Sequence, residues 1–177
     1  MAGISDFKVA MKSGPLRQNR WEIELNFPTG IGTVASSING ALQARTADVP
    51  DSSIGEILIP WRGKDFPWPG DRTVAEYPIT FVAVQDMELH DAFMLWKDRL
   101  VSFDDNVQTG DFPDLVVNIT MHLLNVRDEK IRSYELQDAW PRDVTAIAGD
   151  MSAKDAHSEF TVTFRYLTPK MVGTAPR

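Results

Sequence analysis

Cysteine is absent from all 177 residues. That removes a disulfide scaffold, a thiolate nucleophile, an iron–sulfur cluster and any cysteine-based zinc site. Long apolar runs are missing too. Runs such as Phe81 to Val84 fall far short of the roughly 18 residues that span a bilayer. Positive charge is in deficit, with 18 Lys+Arg against 25 Asp+Glu and a net charge of −7. Nucleic acids and membrane surfaces are both polyanionic, so this balance disfavours broad binding to either, although a local basic patch could override the average. The first residues, Met1 to Ala10, set Ser5, Asp6 and Lys8 among apolar neighbours. They lack a signal-peptide core, and the expectation is a protein made and folded in a cytoplasm.

Signatures of catalysis are equally scarce. No GxSxG elbow, HExxH helix, GxxxxGK loop or GxGxxG fingerprint occurs. The three histidines, His90, His122 and His157, have no second histidine at metal-ligand spacing and read as solvated or capping side chains. His90 and Asp91 are helix neighbours pointing about 100° apart, so they do not meet. Carboxylate pairs exist in Glu22 with Glu24 and in Asp104–Asp105. Nothing nearby supplies an apolar pocket or a second catalytic role, and a solvated acidic face accounts for them. Asn118–Ile119–Thr120 matches a glycosylation pattern but falls mid-strand.

What is present is a foldable chain, 43% hydrophobic and 24% charged, able to bury a core. Ser5 to Lys12 reads as a short helix with Phe7, Val9, Ala10 and Met11 on one side, Ser5 as N-cap and Gly14–Pro15 as its end. Trp21, Ile23, Leu25 and Phe27 alternate with Glu22, Glu24 and Asn26, the period of a half-buried strand. Ile31 to Gly40 reads as a Gly- and Ser-rich loop leading into a strand over Ala41 to Ala47. Gly55 to Trp61 is a third strand, with Pro60 at an edge or terminus. Arg62 to Asp71, with prolines between Phe66 and Trp68, reads as a stiff apolar loop. Val74 to Val84 is a strand with Ile79, Phe81 and Ala83 on one face.

Asp86 to Val101 is the one strong helix. Leu89, Phe93, Trp96 and Leu100 repeat at four, three and four residues; Asp86 serves as N-cap, and the terminal charges suit the helix dipole. After a polar loop over Asp104 to Asp114 come strands over Leu115 to Asn125 and Ile131 to Gln137. Trp140–Pro141 breaks the chain, and a last strand runs from Glu159 to Leu167. Residues from about 168 to 177 read as a frayed tail. The fold class is therefore mainly β: a single domain (1–177) forming an antiparallel β-sandwich or barrel, with one packed helix and a short N-terminal helix.

Several aromatics fall in loops: Trp61, Phe66 and Trp68 in one, Phe103 and Phe112 in another. They either fold over the ends of the sandwich or bury themselves against another subunit.

Gly70–Asp71–Arg72–Thr73, the strand running to Val84, and Glu88–Leu89–His90–Asp91–Ala92 opening a helix with Trp96 together resemble the tail tube proteins of contractile-tailed bacteriophages. Ser13–Gly14, Arg17, Asn19, Trp21 and Glu24 resemble that family's approach to its first strand. Trp140–Pro141 through Val144, then Phe160–Thr161–Val162–Thr163, resemble its closing turn and last strand. The ordered set runs from about Ser13 to Leu167. Ile31 to Gly40 and the Phe66–Trp68 loop match no pattern of the family.

The resemblance implies a structural subunit without catalysis or cofactor. Such subunits form hexameric rings whose sheets join into one barrel, and the rings stack into a tube that DNA traverses during ejection. Type VI secretion tube proteins and baseplate tube initiators share the fold and are alternatives of the same class. A carboxylate-based hydrolase, or a monomeric β-sandwich binding a ligand through Trp61 and Trp68, would be alternatives of another. The implied partners are further copies of the chain, sheath and baseplate proteins, and DNA as passing cargo. The implied location is the virion tail, assembled in the host cytoplasm. Six subunits would carry about −42, a wall that repels phosphate. Expected lumen residues are Glu22, Glu24, Asn26, Glu159, Thr161 and Thr163; expected inter-subunit residues are Trp61, Phe66, Trp68, Asp71 and Arg72. Ser52 to Asp71 is the segment expected to join ring to ring, and Arg72 is expected to pair either across a subunit boundary or within its own chain.

Overall fold

The computed structural model describes residues 3–12, 14–32 and 34–173. In chain order the elements are α1 (Ile4–Ala10), β1 (Trp21–Glu24), α2 (Val34–Gln43), β2 (Ala44–Ala47), β3 (Ser52–Trp61), β4 (Lys64–Val74), β5 (Tyr77–Val82), α3 (Glu88–Leu100), α4 (Phe112–Leu115), β6 (Val117–Leu124), β7 (Lys130–Val144), β8 (Glu159–Arg165) and β9 (Thr168–Val172). Strand order is β1-β6-β7-β8-β5-β2, with β9 also on β7; β3 and β4 form a separate pair. Every pairing is antiparallel.

Alternation decides which side of each strand is wet. Ile23 lies opposite Met121, Ile79 opposite Val162 and Phe81 opposite Phe160, and all six are buried. The long strand β7 serves two sheets. Its first half pairs β6 and β9, its last residues pair β8, and Asp138 stands between them at φ 52°. The sheet thus turns a corner along β7, and both inner faces meet in one core. Trp140–Pro141 does not break the chain: Pro141 sits within β7 opposite Phe164, and a register shift before Asp143 absorbs the missing donor. The tail expectation is corrected likewise. Residues 168–172 are β9, paired with Ser133 to Gln137, whereas residues 174–177 lie outside the described residues.

Helix α3 closes the core. Leu89, Ala92, Phe93 and Trp96 are buried, and Phe93 lies 5.2 Å from Phe27, 5.4 Å from Phe81 and 5.9 Å from Phe164, centroid to centroid. The buried Trp96 Nε1–H donates to the Leu115 carbonyl at 2.8 Å, which leaves no orphaned donor. The helix begins one residue later than Asp86 would dictate as N-cap. Met87 occupies that position at φ 54°, while the Asp86 carboxylate accepts from the Glu88 N–H at 3.2 Å. In α1 the cap is Gly3 rather than Ser5, and Asp6 accepts from the Gly3 N–H at 2.8 Å.

The expected loop over Ile31 to Gly40 is in part helix α2. Among its described positions Ser36 and Gly40, one turn apart, are buried, while Ile38 and Leu42 point outward. Small residues let α2 lie close to the sheet: a Cβ on Gly40 would stand 2.6 Å from Leu25 Cδ2 and 3.3 Å from Leu89 Cδ1. The Ser36 hydroxyl donates to Glu88 at 3.0 Å, tying α2 to the start of α3. Tertiary contact here overrides the weak propensity of a Gly- and Ser-rich segment. Thr33 of that segment, and Ser13 of the resemblance, lie outside the described residues.

Candidate functional site

Residues 62 to 71 are not a loop. They form the turn and most of the second strand of a β-hairpin, β3–β4, which stands clear of the sandwich. Arg62 (φ 47°) and Gly63 (φ 78°) supply the two positive φ values of a tight hairpin turn. Trp61 and Lys64 close it as a hydrogen-bonded pair, and the alternation that follows fixes the rest. Pro60, Pro67 and Pro69 all fall on the non-hydrogen-bonded positions, where a backbone nitrogen points away from its partner strand. Three prolines are thus compatible with one ladder. Proline parity, not proline count, decides whether this segment can pair as a strand.

The same parity gives the hairpin two different faces. Ile57 is opposite Trp68, Ile59 opposite Phe66, and Trp61 opposite Lys64, so one face carries five large apolar side chains. All five are exposed, Trp61 by 68% and Trp68 by 55%. Phe66 and Trp68 lie against each other at 6.1 Å, and the Arg62 guanidinium sits 5.4 Å over the Trp61 ring. The opposite face carries Glu56, Leu58, Pro60, Asp65, Pro67 and Pro69. At the base Gly55 and Gly70 meet backbone to backbone, since a Cβ on Gly70 would stand 3.2 Å from the Gly55 carbonyl. Arg72 lies opposite Ile54, beside Asp71. Among the described residues Arg72 makes no salt bridge, so of the two expected pairings the intrachain one is not formed.

The six expected lumen residues separate into two groups. Glu22, Glu24 and Asn26 lie on or beside β1, on the outer face of the β1-β6-β7-β9 sheet. Glu159, Thr161 and Thr163 lie on β8, on the outer face of the β7-β8-β5-β2 sheet. Because the two inner faces share one core, the two outer faces look in different directions.

On the first face, Glu24 is the hub of a network. Its Oε1 lies 2.8 Å from both Lys130 Nζ and His122 Nε2, and His122 Nδ1 lies 2.7 Å from Ser133 Oγ. A carboxylate only accepts, so Nε2 carries the proton of that bond, while Nδ1 and the Ser133 hydroxyl share a second one. Lys130 first, then His122, hold the Glu24 carboxyl below the usual carboxylate range. His122 is buried, neither solvated nor a helix cap as its sequence context suggests. It staples β1 to β6 and β7 through residues up to 109 positions apart in the chain.

On the second face a row of hydroxyls crosses four strands. Thr46 is opposite Thr80 and Thr80 opposite Thr161, whose hydroxyls stand 3.0 Å apart. The Thr145 hydroxyl then accepts from the Thr161 N–H at 2.8 Å. Charges border this row in closed sets: Arg45 with Glu159 and His157 at one end, Arg142 and Arg165 with Glu76 at the other. Thr161 and Thr163 were legible as the polar side of β8. The row was not, because it joins segments far apart in sequence.

His90 and Asp91 approach only to 3.7 Å, too far for a hydrogen bond; the imidazole stands edge-on to Phe160 at 5.3 Å. Among the described residues no group of three or more His, Asp or Glu side chains is placed to hold a metal ion, and no helix is long and apolar enough to cross a membrane.

No protein-family model matches the chain. Against curated proteins it is 31% identical over 168 residues to the "Tail tube protein" of Serratia phage KSP90, covering 94% of this chain and 95% of that one. Its fold is shared with a chain of the anti-feeding prophage baseplate, with a TM-score of 0.65 at 14% identity over 91% of this chain and 97% of that one. It is shared also with a chain of the sheath–tube complex of an extracellular contractile injection system in its extended state. There the TM-score is 0.61 at 15% identity, over 98% of this chain and all of that one.

Proposed function

The chain belongs to the tail tube protein family, and from that premise we propose that it forms hexameric rings that stack into a tube through which DNA passes, without catalysis. The observation that carries this reading is the end-to-end 31% identity to a phage tail tube protein. The surface supports it. A hairpin with five exposed large apolar side chains costs solubility in a monomer and is relieved by a neighbour. The end strands β1 and β2 likewise leave unpaired backbone edges for adjacent subunits. Trp61, Phe66 and Trp68, with Asp71 and Arg72 at the base, form the stacking contact. Tail sheath and baseplate proteins are the outer partners.

Of the two polar faces, the threonine face lines the channel. The hairpin prolongs β2 and β5 of that sheet, so strands that reach the next ring continue the same wall. Its guanidinium groups are engaged by carboxylates, and between them lie neutral hydroxyls, which leave no free cation among the described residues of that face to hold a phosphate. Glu22, Glu24 and Asn26 then face away from the channel, a division that the sequence did not make.

Electron microscopy of the purified protein tests the assembly. Rings or tubes are expected, and stable monomers would overturn the proposal. Polymerisation into long tubes marks a main tube subunit, whereas single rings mark a baseplate initiator. The lumen assignment has a separate test, made clean by the absence of native cysteine. In assembled tubes a cysteine at Thr163 should be shielded from a bulky maleimide, and one at Glu22 should react; the reverse pattern sinks the assignment.

A further inference from the structure

Among the described residues helix α1 buries none of its side chains. Every one of its residues is exposed, including Ile4 at 77% and Phe7 at 63%. At 100° per residue Ile4, Phe7 and Met11 fall on one stripe, whereas Val9 lies on the other side, contrary to the sequence reading. Seven residues are too few to hold a helix in water unaided, so an exposed apolar helix of this length needs something to lie against.

The same chain carries an unfilled groove of about 360 Å³ between the end of α3 and the corner of β7. Its floor is Trp140 and Pro141, and its walls are Met94, Val101 and Phe103, the last 94% exposed. The size is near the lower end of ligand pockets, about 300–1,000 Å³, and of its charged lining residues Arg142 is already paired with Glu76 and Asp98 accepts from the Phe103 N–H at 3.0 Å. The rim carries both signs. Lys97 makes no salt bridge or hydrogen bond among the described residues, and Asp98 stands beside it. Helix α1 carries the complementary pair, Asp6 and Lys8.

We propose that α1 of one subunit docks in the α3–β7 groove of a second copy, with Phe7 as the central anchor, Ile4 and Met11 beside it, and Asp6 and Lys8 meeting Lys97 and Asp98. This is helix-in-groove recognition by anchors one turn apart. It adds to the hairpin contact a second tie, made by an element that contributes nothing to its own subunit's core. The proposal rests on the tube reading, because a second copy must be held nearby.

The test mixes two differently tagged single-cysteine chains, Phe7→Cys and Val101→Cys, under assembly conditions and oxidises them. A disulfide between the two tags is expected. Tubes that form without this cross-link overturn the docking and leave the tube reading intact, whereas failure of the wild-type chain to assemble overturns both. Preferential cross-linking of Val101→Cys to Ile59→Cys would assign the groove to the hairpin and also overturn the docking. As a second measurement, Phe7→Asp should raise the concentration needed for assembly about thirtyfold while leaving monomer melting unchanged. Unaltered assembly of Phe7→Asp overturns the proposal.

Discussion

Helix α3 and the β3–β4 hairpin are both amphipathic, and each presents a tryptophan at the centre of its apolar face. Trp96 of α3 is fully buried, stacks with Phe93 at 6.4 Å and spends its indole N–H on the Leu115 carbonyl. Trp68 of the hairpin is about half exposed, with Phe66 as its aromatic neighbour. The residue type and local pattern are alike; the difference is whether the rest of the chain returns to cover the face. Phe27, Phe81 and Phe164 return to α3 from three separate segments, whereas the hairpin's five large apolar side chains stay exposed. On the proposed tube assembly, apolar material left uncovered in this ordered way belongs to the core of the assembly rather than to that of the subunit.

Mutations can break this contrast. Trp96→Ala removes a buried aromatic with its hydrogen bond and is expected to cost about 3–5 kcal/mol of subunit stability, read as a shifted denaturation midpoint. The same substitution at Trp68 tests the other half. Its monomer stability should stay within about 0.5 kcal/mol of wild type, while ring stacking seen by electron microscopy is lost. Equal destabilisation by the two variants would abolish the distinction.

Gly40→Ala sharpens the boundary of the core. The new methyl group meets Leu25, itself buried between α2 and the sheet, and overpacking there should cost about 1–3 kcal/mol. A neutral result in a denaturant titration would mean that α2 is not pressed against the sandwich.

The smallest effect concerns Glu24, which is half exposed. Its carboxyl titrates below the ordinary value of 4.5 in the folded chain, so its contribution is fully present above pH 4.5 and fades as pH falls through the lowered folded value. Glu24→Gln should therefore melt below wild type at pH 6, with the gap closing as the pH drops beneath 4.5. A gap that persists into acid would show that the network acts by packing and not by charge.

Large apolar periodicity was the legible part of this fold. It located the inward sides of β1, β5, β6 and β8, and the four-residue rhythm of α3, because those residues carry their burial in their size. Helix α2 was illegible for the complementary reason: it buries Ser36 and Gly40 and exposes Ile38 and Leu42, so its pattern is inverted. Strand β9 was hidden because Thr168 to Val172 follows closely on the preceding strand and contains a proline. For the candidate surfaces, Trp61, Phe66 and Trp68 were correctly grouped by composition, but their common face depended on a strand register that the prolines seemed to forbid. The His122 network and the threonine row were beyond reach, since each is made by strands that meet only after folding.

The spacing of the hairpin's prolines has one more consequence. Along the free edge of β4, Pro67 and Pro69 replace two of the outward-pointing donors, so that edge can accept hydrogen bonds but offers few. The free edge of β3 keeps the outward N–H groups of Leu58 and Glu56 and loses only that of Pro60. Strand addition to this hairpin is therefore polar: a neighbour can zip onto one margin and finds the other nearly mute. If copies of the chain add along this hairpin in the proposed tube, the pattern of donors left by its prolines favours one side for each incoming strand.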